Sequence, residues 1–279
     1  MNHVLYNPLS SSSYSLDKLK EEMKKHSITD CNYLDVTKIS SKKEFFKNVI
    51  KDDAIIISGG DGTLNRLINF LDLDKCENSI YLHKAGNGND FLRDINELRD
   101  DFIEIGMYLK HLPKVTLNGE TTKYINGVGF GVDGMVCVES DKLKAKGQKN
   151  INYTTLAIKL LLFKFRRVNA KVTVDGKTYN FKHVYIGSAM NGKYYGGGMK
   201  EAPNQDRNSD VVSVVIWHNF NPLTGLINFP KIFTGEHVKN KKHITVLTGK
   251  DVTMTFSKPT DLQIDGESYH AITSYHVVK

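Results

Sequence analysis

Residues 54–71 read AIIISGGDGTLNRLINFL, and this stretch constrains the fold more than any other part of the sequence. Ala54–Ile57 is a short β-branched run, which is typical of a strand buried on both faces. Apolar side chains then recur at the i, i+3, i+4 and i+7 spacing of one helix face. They are Leu64, Leu67, Ile68 and Leu71. The stretch therefore predicts a strand, a glycine turn and the N-terminus of a helix.

The glycine turn predicts an anion site. Gly59, Gly60 and Gly62 allow positive φ and let a ligand approach the bare backbone. Free N–H groups and the positive end of the helix dipole converge at such a turn, and this suits a phosphate. Asp61 would repel that phosphate, and a bound Mg²⁺ would remove the conflict. The alternative is an ordinary tight turn between a strand and a helix.

Strand and helix patterns alternate over the first 112 residues. HVLY and YLDV are strand candidates, Leu16–Lys25 is a helix candidate, and Ser41 with Glu44 forms a capping box before another helix. Repeated strand–helix units predict a parallel sheet covered by helices, and ligands bind such sheets beyond the carboxyl ends of the strands. The residues and loops that follow strands in this way are Asn7, Thr37, the GGDGT loop and the AGNGND loop.

The pattern changes after Pro113. Alternating strands with Asn-Gly and Asp-Gly turn signals follow, interrupted by helical stretches at roughly Ile151–Phe165 and after Pro222. We therefore predict an α/β domain over residues 1–112 and an antiparallel β domain with a few helices over residues 113–279. We leave open whether the last strand returns to the first domain.

The cysteine content and the net charge restrict the cellular compartment and the kind of partner. Three cysteines, odd in number and far apart, favour a reducing cytosol. The first residues lack a basic segment followed by an apolar one, and the apolar run Leu156–Phe165 contains two lysines. We therefore expect a cytoplasmic protein with neither a secretion signal nor a membrane span. The net charge of +7 favours anionic partners, but no nucleic-acid signature of spaced basic and aromatic residues is present.

Four strings occur in order along the chain. They are SGGDGTLN at Ser58–Asn65, AGNGNDFLR at Ala85–Arg93, NGVGFGVDG at Asn126–Gly134 and DGE at Asp265–Glu267. This ordered set resembles the bacterial diacylglycerol kinase and lipid kinase family, whose catalytic domain sphingosine and ceramide kinases share. NPLS near the start and YYGGGMKEAPN at Tyr194–Asn204 fit as well, so the resemblance covers nearly the whole chain.

The resemblance implies a two-domain fold like that of NAD kinases and diacylglycerol kinases. Its parts are an α/β N-terminal domain with a parallel sheet and a mainly antiparallel β-sandwich C-terminal domain. It also implies an ATP-dependent kinase acting on a lipid hydroxyl, with diacylglycerol as the favoured acceptor and phosphatidic acid as the product. ATP and Mg²⁺ are the implied cofactors. The residues implied to bind them are Asn7, Thr37, Ser58, Gly59, Gly60, Asp61, Gly62, Thr63, Asn65, Asn87, Asn89 and Asp90.

Glu267 and Asp61 are the implied catalytic residues. Glu267 would act as the general base on the lipid hydroxyl, and Asp61, with Asp90 as a second candidate, would organise Mg²⁺ with ATP. A solvated hairpin carboxylate is the alternative for Glu267, and a helix N-cap is the alternative for Asp90. Asn7 and Thr37 could be ordinary turn formers.

The chain departs from the family pattern in four places. Arg66 replaces a usual Glu, Asn87 replaces a Thr, and a serine run at Ser10–Ser13 replaces the glycine of an NPxSG string. Asn208-Ser209-Asp210 stands where the family has Asp-Asp-Gly, whose aspartate binds a structural Mg²⁺ in bacterial diacylglycerol kinases. We expect no firmly bound structural metal there. A shifted site would use Asp206 and Asp210.

The phosphate loop and Glu267 stay intact, so an active enzyme is favoured over a nucleotide-binding pseudokinase or regulatory module of the same fold. A NAD kinase fits less well, because its Thr-Pro-Thr-Gly-Ser-type string is absent. The apolar strings TTLAIKLLLFKF and NPLTGLINFPKIF either line a cleft for the lipid or are ordinary core and covering helices. We expect a peripheral protein that contacts anionic membranes transiently through its positive charge. A homodimer is left open.

Overall fold

The computed structural model describes residues 1–9, 15–86, 89–148, 151–164, 167–219 and 222–279. Two compact units make up the chain, Met1–Leu112 and Pro113–Lys279. The strands of the first unit are β1 (Asn2–Tyr6), β2 (Cys31–Asp35), β3 (Ala54–Gly59), β4 (Ile80–Lys84) and β5 (Phe102–Glu104). Its helices are α1 (Leu16–Lys25), α2 (Lys42–Lys47), α3 (Asp61–Leu71) and α4 (Asp90–Asp94), with 3-10 turns at Leu73–Lys75 and Gly106–Leu109.

The first unit is built on one sheet with the strand order β2-β1-β3-β4-β5. The first four of these strands run parallel, and β5 pairs antiparallel with β4. The register places Tyr6, Ser58 and His83 side by side, so the carboxyl ends of β1, β3 and β4 meet at one edge of the sheet. The predicted α/β domain with a parallel sheet is confirmed.

The stretch that opened the sequence analysis folds as predicted. Ile55, Ile56 and Ile57 of β3 are buried, and the apolar face of α3 is buried as well. Burying a side chain of this size contributes roughly 1.5–3 kcal/mol. The capping box before α2 is only half formed. Ser41 Oγ accepts the N–H of Glu44 at 3.2 Å, but the Glu44 carboxylate accepts the N–H of Ser40.

The second unit contains the remaining elements. Its strands are β6 (Lys114–Leu117), β7 (Glu120–Lys123), β8 (Gly127–Gly131), β9 (Val168–Val174), β10 (Lys177–Met190), β11 (Val212–His218), β12 (Ile244–Gly249), β13 (Asp251–Ile264) and β14 (Glu267–Val278). Its helices are α5 (Val132–Ala145), α6 (Tyr153–Phe163) and α7 (Pro222–Asn228), with 3-10 turns at Phe229–Ile232 and Glu236–Lys239.

Two long strands give the second unit its sandwich form. β10 and β13 each pair with β9 over one half, at 177–184 and 252–256, and with β8 over the other half, at 186–190 and 262–264. Register shifts separate the halves, so each strand passes from one layer to the other. The apolar side chains of both layers then share one buried cluster, which includes Phe130, Val172 and Met254. The predicted antiparallel β-sandwich is confirmed.

The turn signals of the second unit also form as predicted. Asn118-Gly119, Asp175-Gly176 and Asp265-Gly266 each have positive φ at both residues. Two such residues are the requirement of a tight hairpin whose twist matches that of its strands. These three turns connect β6 to β7, β9 to β10 and β13 to β14.

Three features of the second unit were missed, left open or placed differently in the sequence-based expectation. Helix α5 was not predicted, because Gly134 and three valines are poor helix formers. A β-carbon at Gly134 would overlap the backbone of Asp261, so the glycine lets α5 pack closely on β13. The last strand, β14, does not return to the first sheet: it pairs with β13 and β6. Helix α6 begins at Tyr153 rather than Ile151.

No helix within the described ranges is both long enough and apolar enough to cross a bilayer.

A buried histidine in the first sheet makes the stability of the chain depend on pH. Burial lowers the pKa of the His83 imidazole to about 4, from an ordinary value of 6.5. The side chain is buried, shares a hydrogen bond of 2.9 Å with Ser58 Oγ and stacks on Phe102. Between these two pH values the unfolded chain binds a proton that the folded chain excludes. The free energy of unfolding should therefore fall by roughly 3 kcal/mol as the pH drops from 6.5 to 4.

Urea unfolding of the wild type and of His83→Gln across this pH range tests the prediction. The variant should lose this part of the pH dependence. His111→Gln, at an exposed histidine, should keep it. Parallel profiles for the wild type and His83→Gln would contradict the assignment.

Candidate functional site

Two glycine loops touch at the carboxyl edge of the first sheet. One loop joins β3 to α3 and has Gly60 as the N-cap of α3; the other follows β4. A β-carbon at Gly60 would lie 3.0 Å from Gly86 Cα, and a β-carbon at Gly86 would overlap Gly60. The N–H of Ala85 also donates to Gly59 O at 3.3 Å. Backbone therefore meets backbone at this point, and only glycine fits on either side.

Asp61 connects the same two loops through its carboxylate. Oδ2 accepts the N–H of Asp90 at 2.7 Å, and Oδ1 accepts the N–H of Phe91 at 3.1 Å. These are among the donors that the first turn of α4 leaves unused, and Asp61 itself lies in the first turn of α3. The carboxylate is thus stabilised by the protein itself. The prediction that Asp61 binds Mg²⁺ with ATP stays a prediction.

Asn89 supplies a buried acceptor next to the glycine contact. Its backbone is left-handed, with φ of 46°, and its Nδ2 donates to Gly86 O at 2.6 Å. Its Oδ1 is buried and accepts no hydrogen bond from the described residues. A β-carbon at Gly86 would lie 3.2 Å from this oxygen. A ligand that presents a donor at the two loops would satisfy it, and this is the observation that fits a polar ligand to the site.

Three of the remaining predicted residues make contacts within their own unit. Ser58 and Thr63 are buried: Ser58 Oγ bonds to His83, and Thr63 packs against Gly59. Asn65 accepts a hydrogen bond from Asn69 Nδ2. These side chains support the loop from within the unit.

Asn7 and Thr37 both form turns, as their alternative interpretation predicted. Asn7 Oδ1 accepts the N–H of Leu9 at 3.0 Å, and Thr37 donates its N–H and its hydroxyl to Asp35 Oδ1. Their nucleotide contacts stay predictions. Asp90 is buried and is the first residue of α4, whose N-cap residue is Asn89, so the N-cap interpretation of Asp90 is wrong. Asn87 lies outside the described residues.

A cavity of about 350 Å³ lies elsewhere in the first unit. Side chains of β1, β2 and α2 line it, among them Tyr6, Asp35 and Phe45. No residue of the GGDGT loop is among its lining residues. The candidate site is therefore carried by the backbone of the glycine loops and not by this cavity.

In the second unit the turn before Glu267 is fixed by its own aspartate. Asp265 accepts the N–H groups of Ile125, Asn126 and Gly127 at 2.6, 2.8 and 3.0 Å. The NGVGFG and DGE strings, far apart in the sequence, are thereby joined. Sequence reasoning missed this role of Asp265. The only feature of the sequence that pointed to this contact was that both strings belong to the same family pattern.

Glu267 is the first residue of β14 and is exposed. Its carboxylate takes part in no hydrogen bond or ion pair with the described residues. Below the turn, Gln263 Oε1 accepts the N–H of Gly266 at 2.8 Å, and Gln263 Nε2 donates to Asp133 Oδ2 at 2.9 Å. Burial raises the pKa of the Asp133 carboxyl to about 7. A rigid turn therefore carries an available carboxylate, as a general base requires.

The residues of the altered metal segment do not fit a structural Mg²⁺. Asp210 forms an ion pair with Lys250 Nζ, and Asp206 Oδ1 accepts the N–H of Asn208 at 3.0 Å. Ser209 Oγ donates to Asp206 O at 2.7 Å. Within the described ranges no three His, Cys, Asp or Glu side chains are grouped to hold a metal ion. A lysine ammonium thus already compensates the carboxylate that a shifted metal site would need.

Arg207 lies within the altered metal segment, and its guanidinium reaches a distant stretch of backbone. Arg207 is buried and donates to Ile125 O and, at 2.9 Å, to Asn126 Oδ1. It therefore supports the same backbone stretch that Asp265 binds.

Comparison with known proteins agrees with this geometry. Residues 2–123 match the model of the diacylglycerol kinase catalytic domain, and residues 126–278 match the model of the YegS C-terminal NAD kinase beta sandwich-like domain. The chain belongs to the diacylglycerol kinase-like lipid kinase family. The resemblance stated from the four strings is confirmed.

Relatives of this lipid kinase family include a Bacillus subtilis (strain 168) protein named "Putative lipid kinase YtlR". It is 25% identical over 233 residues, which are 76% of this chain and 73% of that protein. "Probable lipid kinase YegS-like" of Shewanella frigidimarina (strain NCIMB 400) is 22% identical over 232 residues, 81% of this chain and 74% of that protein. The crystal structure of a putative diacylglycerol kinase from Bacillus anthracis str. Sterne matches with a TM-score of 0.71 at 18% identity, covering 99% of this chain and 93% of that one. The similarity to this crystal structure shows the fold alone.

The contact between the glycine loops gives a matched pair of substitutions. Gly86→Ala forces the loops apart, because its β-carbon would overlap Gly60. We expect it to lower the free energy of unfolding by about 1–3 kcal/mol, as overpacking does. A β-carbon at Gly62 meets nothing within 4 Å, so Gly62→Ala should leave stability unchanged or raise it. Urea unfolding measures both, and equal losses would contradict the loop contact.

The altered metal segment gives a second prediction. A metal that binds the folded chain raises its melting temperature by mass action, so we expect Mg²⁺ without nucleotide to change the melting temperature by less than about 1 °C. Thermal melts of the wild type and of Asp210→Asn, with and without Mg²⁺, test this. A large rise in the wild type that disappears in Asp210→Asn would show that a shifted metal site exists.

Proposed function

We propose that this protein is an ATP-dependent lipid kinase that transfers the γ-phosphoryl group to a lipid hydroxyl, with diacylglycerol as the acceptor and phosphatidic acid as the product. The observation that carries the proposal is the contact of two side-chain-free loops, Gly59–Gly60 and Gly86, at the N-terminus of α3. Membership in the lipid kinase family supports the reaction class, and the names of the relatives support a lipid acceptor.

The first unit supplies the phosphate site in this proposal. With no β-carbons in the way, phosphate oxygens can approach the N–H groups at the start of α3, where the helix dipole favours negative charge. Asn89 Oδ1, a buried acceptor that no described residue satisfies, would take a donor from the nucleotide or its water shell. Asp61 holds the second loop in place and lies within the same turn.

Mg²⁺, when bound with ATP, would neutralise the charge that develops on the transferred group. Asp61 is the residue of this chain that we propose for it. It is a carboxylate in the first turn of α3, beside the glycine loops, and carboxylate oxygens are ligands that Mg²⁺ prefers.

The second unit supplies the base. We propose that the Glu267 carboxylate accepts the proton of the lipid hydroxyl while the hydroxyl oxygen forms its bond to the γ-phosphorus. The bond from that phosphorus to the bridging oxygen breaks, and ADP leaves with the electron pair. Asp265 fixes the turn by three backbone hydrogen bonds, so Glu267 is held on a rigid hairpin rather than on a mobile loop.

A second candidate is a nucleotide-binding module without kinase activity. The pairing of Asp210 with Lys250 favours it, because this departs from the metal site that the family pattern implies. The same loops would then bind ATP, and no lipid would be phosphorylated.

Glu267→Gln separates the two candidates. The amide keeps the shape of the side chain but accepts no proton at neutral pH, so we expect the affinity for ATP to stay unchanged and kcat to fall by roughly 10²–10⁴-fold. Isothermal titration with ATP and a radiolabelled transfer assay with a lipid panel measure the two quantities.

Glu120→Gln is the matched control, because Glu120 also opens a strand after a tight Asn-Gly turn and is exposed. It should retain full activity. If the wild type binds ATP but phosphorylates no lipid of the panel, the binding module is the correct function. If Glu267→Gln keeps wild-type kcat, Glu267 is not the base.

A further inference from the structure

Large apolar side chains are exposed on neighbouring elements of the second unit. Phe163 of α6 is 78% exposed, and Leu223 and Ile227 of α7 are 65% and 59% exposed. Phe233, just after the 3-10 turn that follows α7, is 40% exposed. Tyr153, the first residue of α6, is 42% exposed as well, and the other exposed large apolar residues of the described ranges lie on other elements. Such a grouping is typical of an interaction surface.

The packing of α6 and α7 explains why these side chains remain outside. Gly225 of α7 packs on Leu161 of α6, since a β-carbon at Gly225 would lie 3.1 Å from a methyl group of Leu161. Leu160 and Leu161 of α6 are buried in the same apolar cluster as Phe229 and Ile232. The two helices therefore already have an apolar face in the core. Leu223 and Ile227, four residues apart, lie on a different face of α7 that the fold leaves uncovered.

The sequence segments that carry this surface are rich in positive charge. No Asp or Glu occurs between Asp141 and Asp175, a segment with nine lysines and arginines, and none occurs between Asp210 and Glu236. Lys159 of α6 and Lys231 after α7 are exposed, and neither forms an ion pair with the described residues. We call Lys159, Phe163, Leu223, Ile227, Lys231 and Phe233 the α6–α7 surface. It combines exposed apolar groups with two lysine ammonium groups. The Glu236 carboxylate lies near Lys231, but its ion pair is with Lys239.

We propose that the α6–α7 surface docks the protein onto an anionic lipid bilayer; this rests on the proposed function, which places the acceptor in a membrane. The apolar side chains enter the boundary between headgroups and acyl chains, and the lysines lie at the negatively charged headgroups. A second copy of the chain is a poorer occupant, because the same positive charges would face each other.

Sedimentation with vesicles of phosphatidylcholine, with and without phosphatidylglycerol, tests the docking surface. The vesicles contain no diacylglycerol, and the buffer contains no ATP. We expect the wild type to bind the anionic vesicles and to release them as salt is raised. Leu223→Ser/Ile227→Ser and Lys159→Glu/Lys231→Glu should each weaken this binding by roughly tenfold or more.

Matched controls change equally exposed residues elsewhere. Ile50→Ser/Met107→Ser removes two exposed apolar side chains of the first unit, and Lys24→Glu/Lys47→Glu makes the same change in net charge on α1 and α2. The vesicle affinity of both control variants should stay within about twofold of that of the wild type, because the changed residues lie outside the α6–α7 surface. Melting temperatures of all variants show whether each one is folded.

The outcomes separate docking from catalysis. Equal binding of the wild type to neutral and anionic vesicles, or equal losses in surface and control variants, would overturn the docking proposal. So would self-association in ultracentrifugation that Leu223→Ser/Ile227→Ser abolishes, since a second copy would then be the occupant. A wild type that docks as described but phosphorylates no lipid would leave docking in place and remove the proposed function.

Discussion

The hydrogen bonds from Asp90 and Phe91 to the Asp61 carboxylate are the constraint on which the glycine loops of the first unit depend. They connect the first turn of α3 to the first turn of α4, and they bring Gly60 against Gly86. A charged acceptor for two backbone N–H groups is among the stronger hydrogen-bonding arrangements in proteins. The two loops are therefore held against each other by bonds within the protein.

The second unit uses the same physical device. Asp265, like Asp61, is an aspartate followed by glycine, and its carboxylate accepts backbone N–H groups of a distant segment. Arg207 binds the same segment through a carbonyl group, since its guanidinium donates to Ile125 O. The three N–H groups of residues 125–127 and the carbonyl of Ile125 are thus bound by side chains of opposite charge. In both units the aspartate of a short Asp-Gly string fixes the backbone of a distant segment around the proposed site.

Local sequence patterns predicted much of this fold. The buried run at Ala54–Ile57, the helical spacing after it and the tight turns at Asn-Gly and Asp-Gly depend on near neighbours in the chain, and all form as expected. The change of pattern after Pro113 indicated the two domains, and the family resemblance added that the second is a sandwich. Helix α5 could not be read locally, because its glycine is required by a contact with β13 rather than by the helix itself. The capping role of Asp61 and the pair of Asp210 with Lys250 likewise join residues far apart in sequence, so no local pattern encodes them.

The position of β8 has a consequence for synthesis of the chain. β8 pairs with β10 on one side and with β13 on the other, and the Asp265 that binds Ile125 comes 140 residues later. While the chain emerges from the ribosome, one edge of β8 stays unpaired until β13 has been translated. Pairing between such distant segments is slow, and open strand edges invite contacts with other chains. The hairpin that carries Glu267, the proposed base, is therefore completed only after nearly the whole second unit has been made.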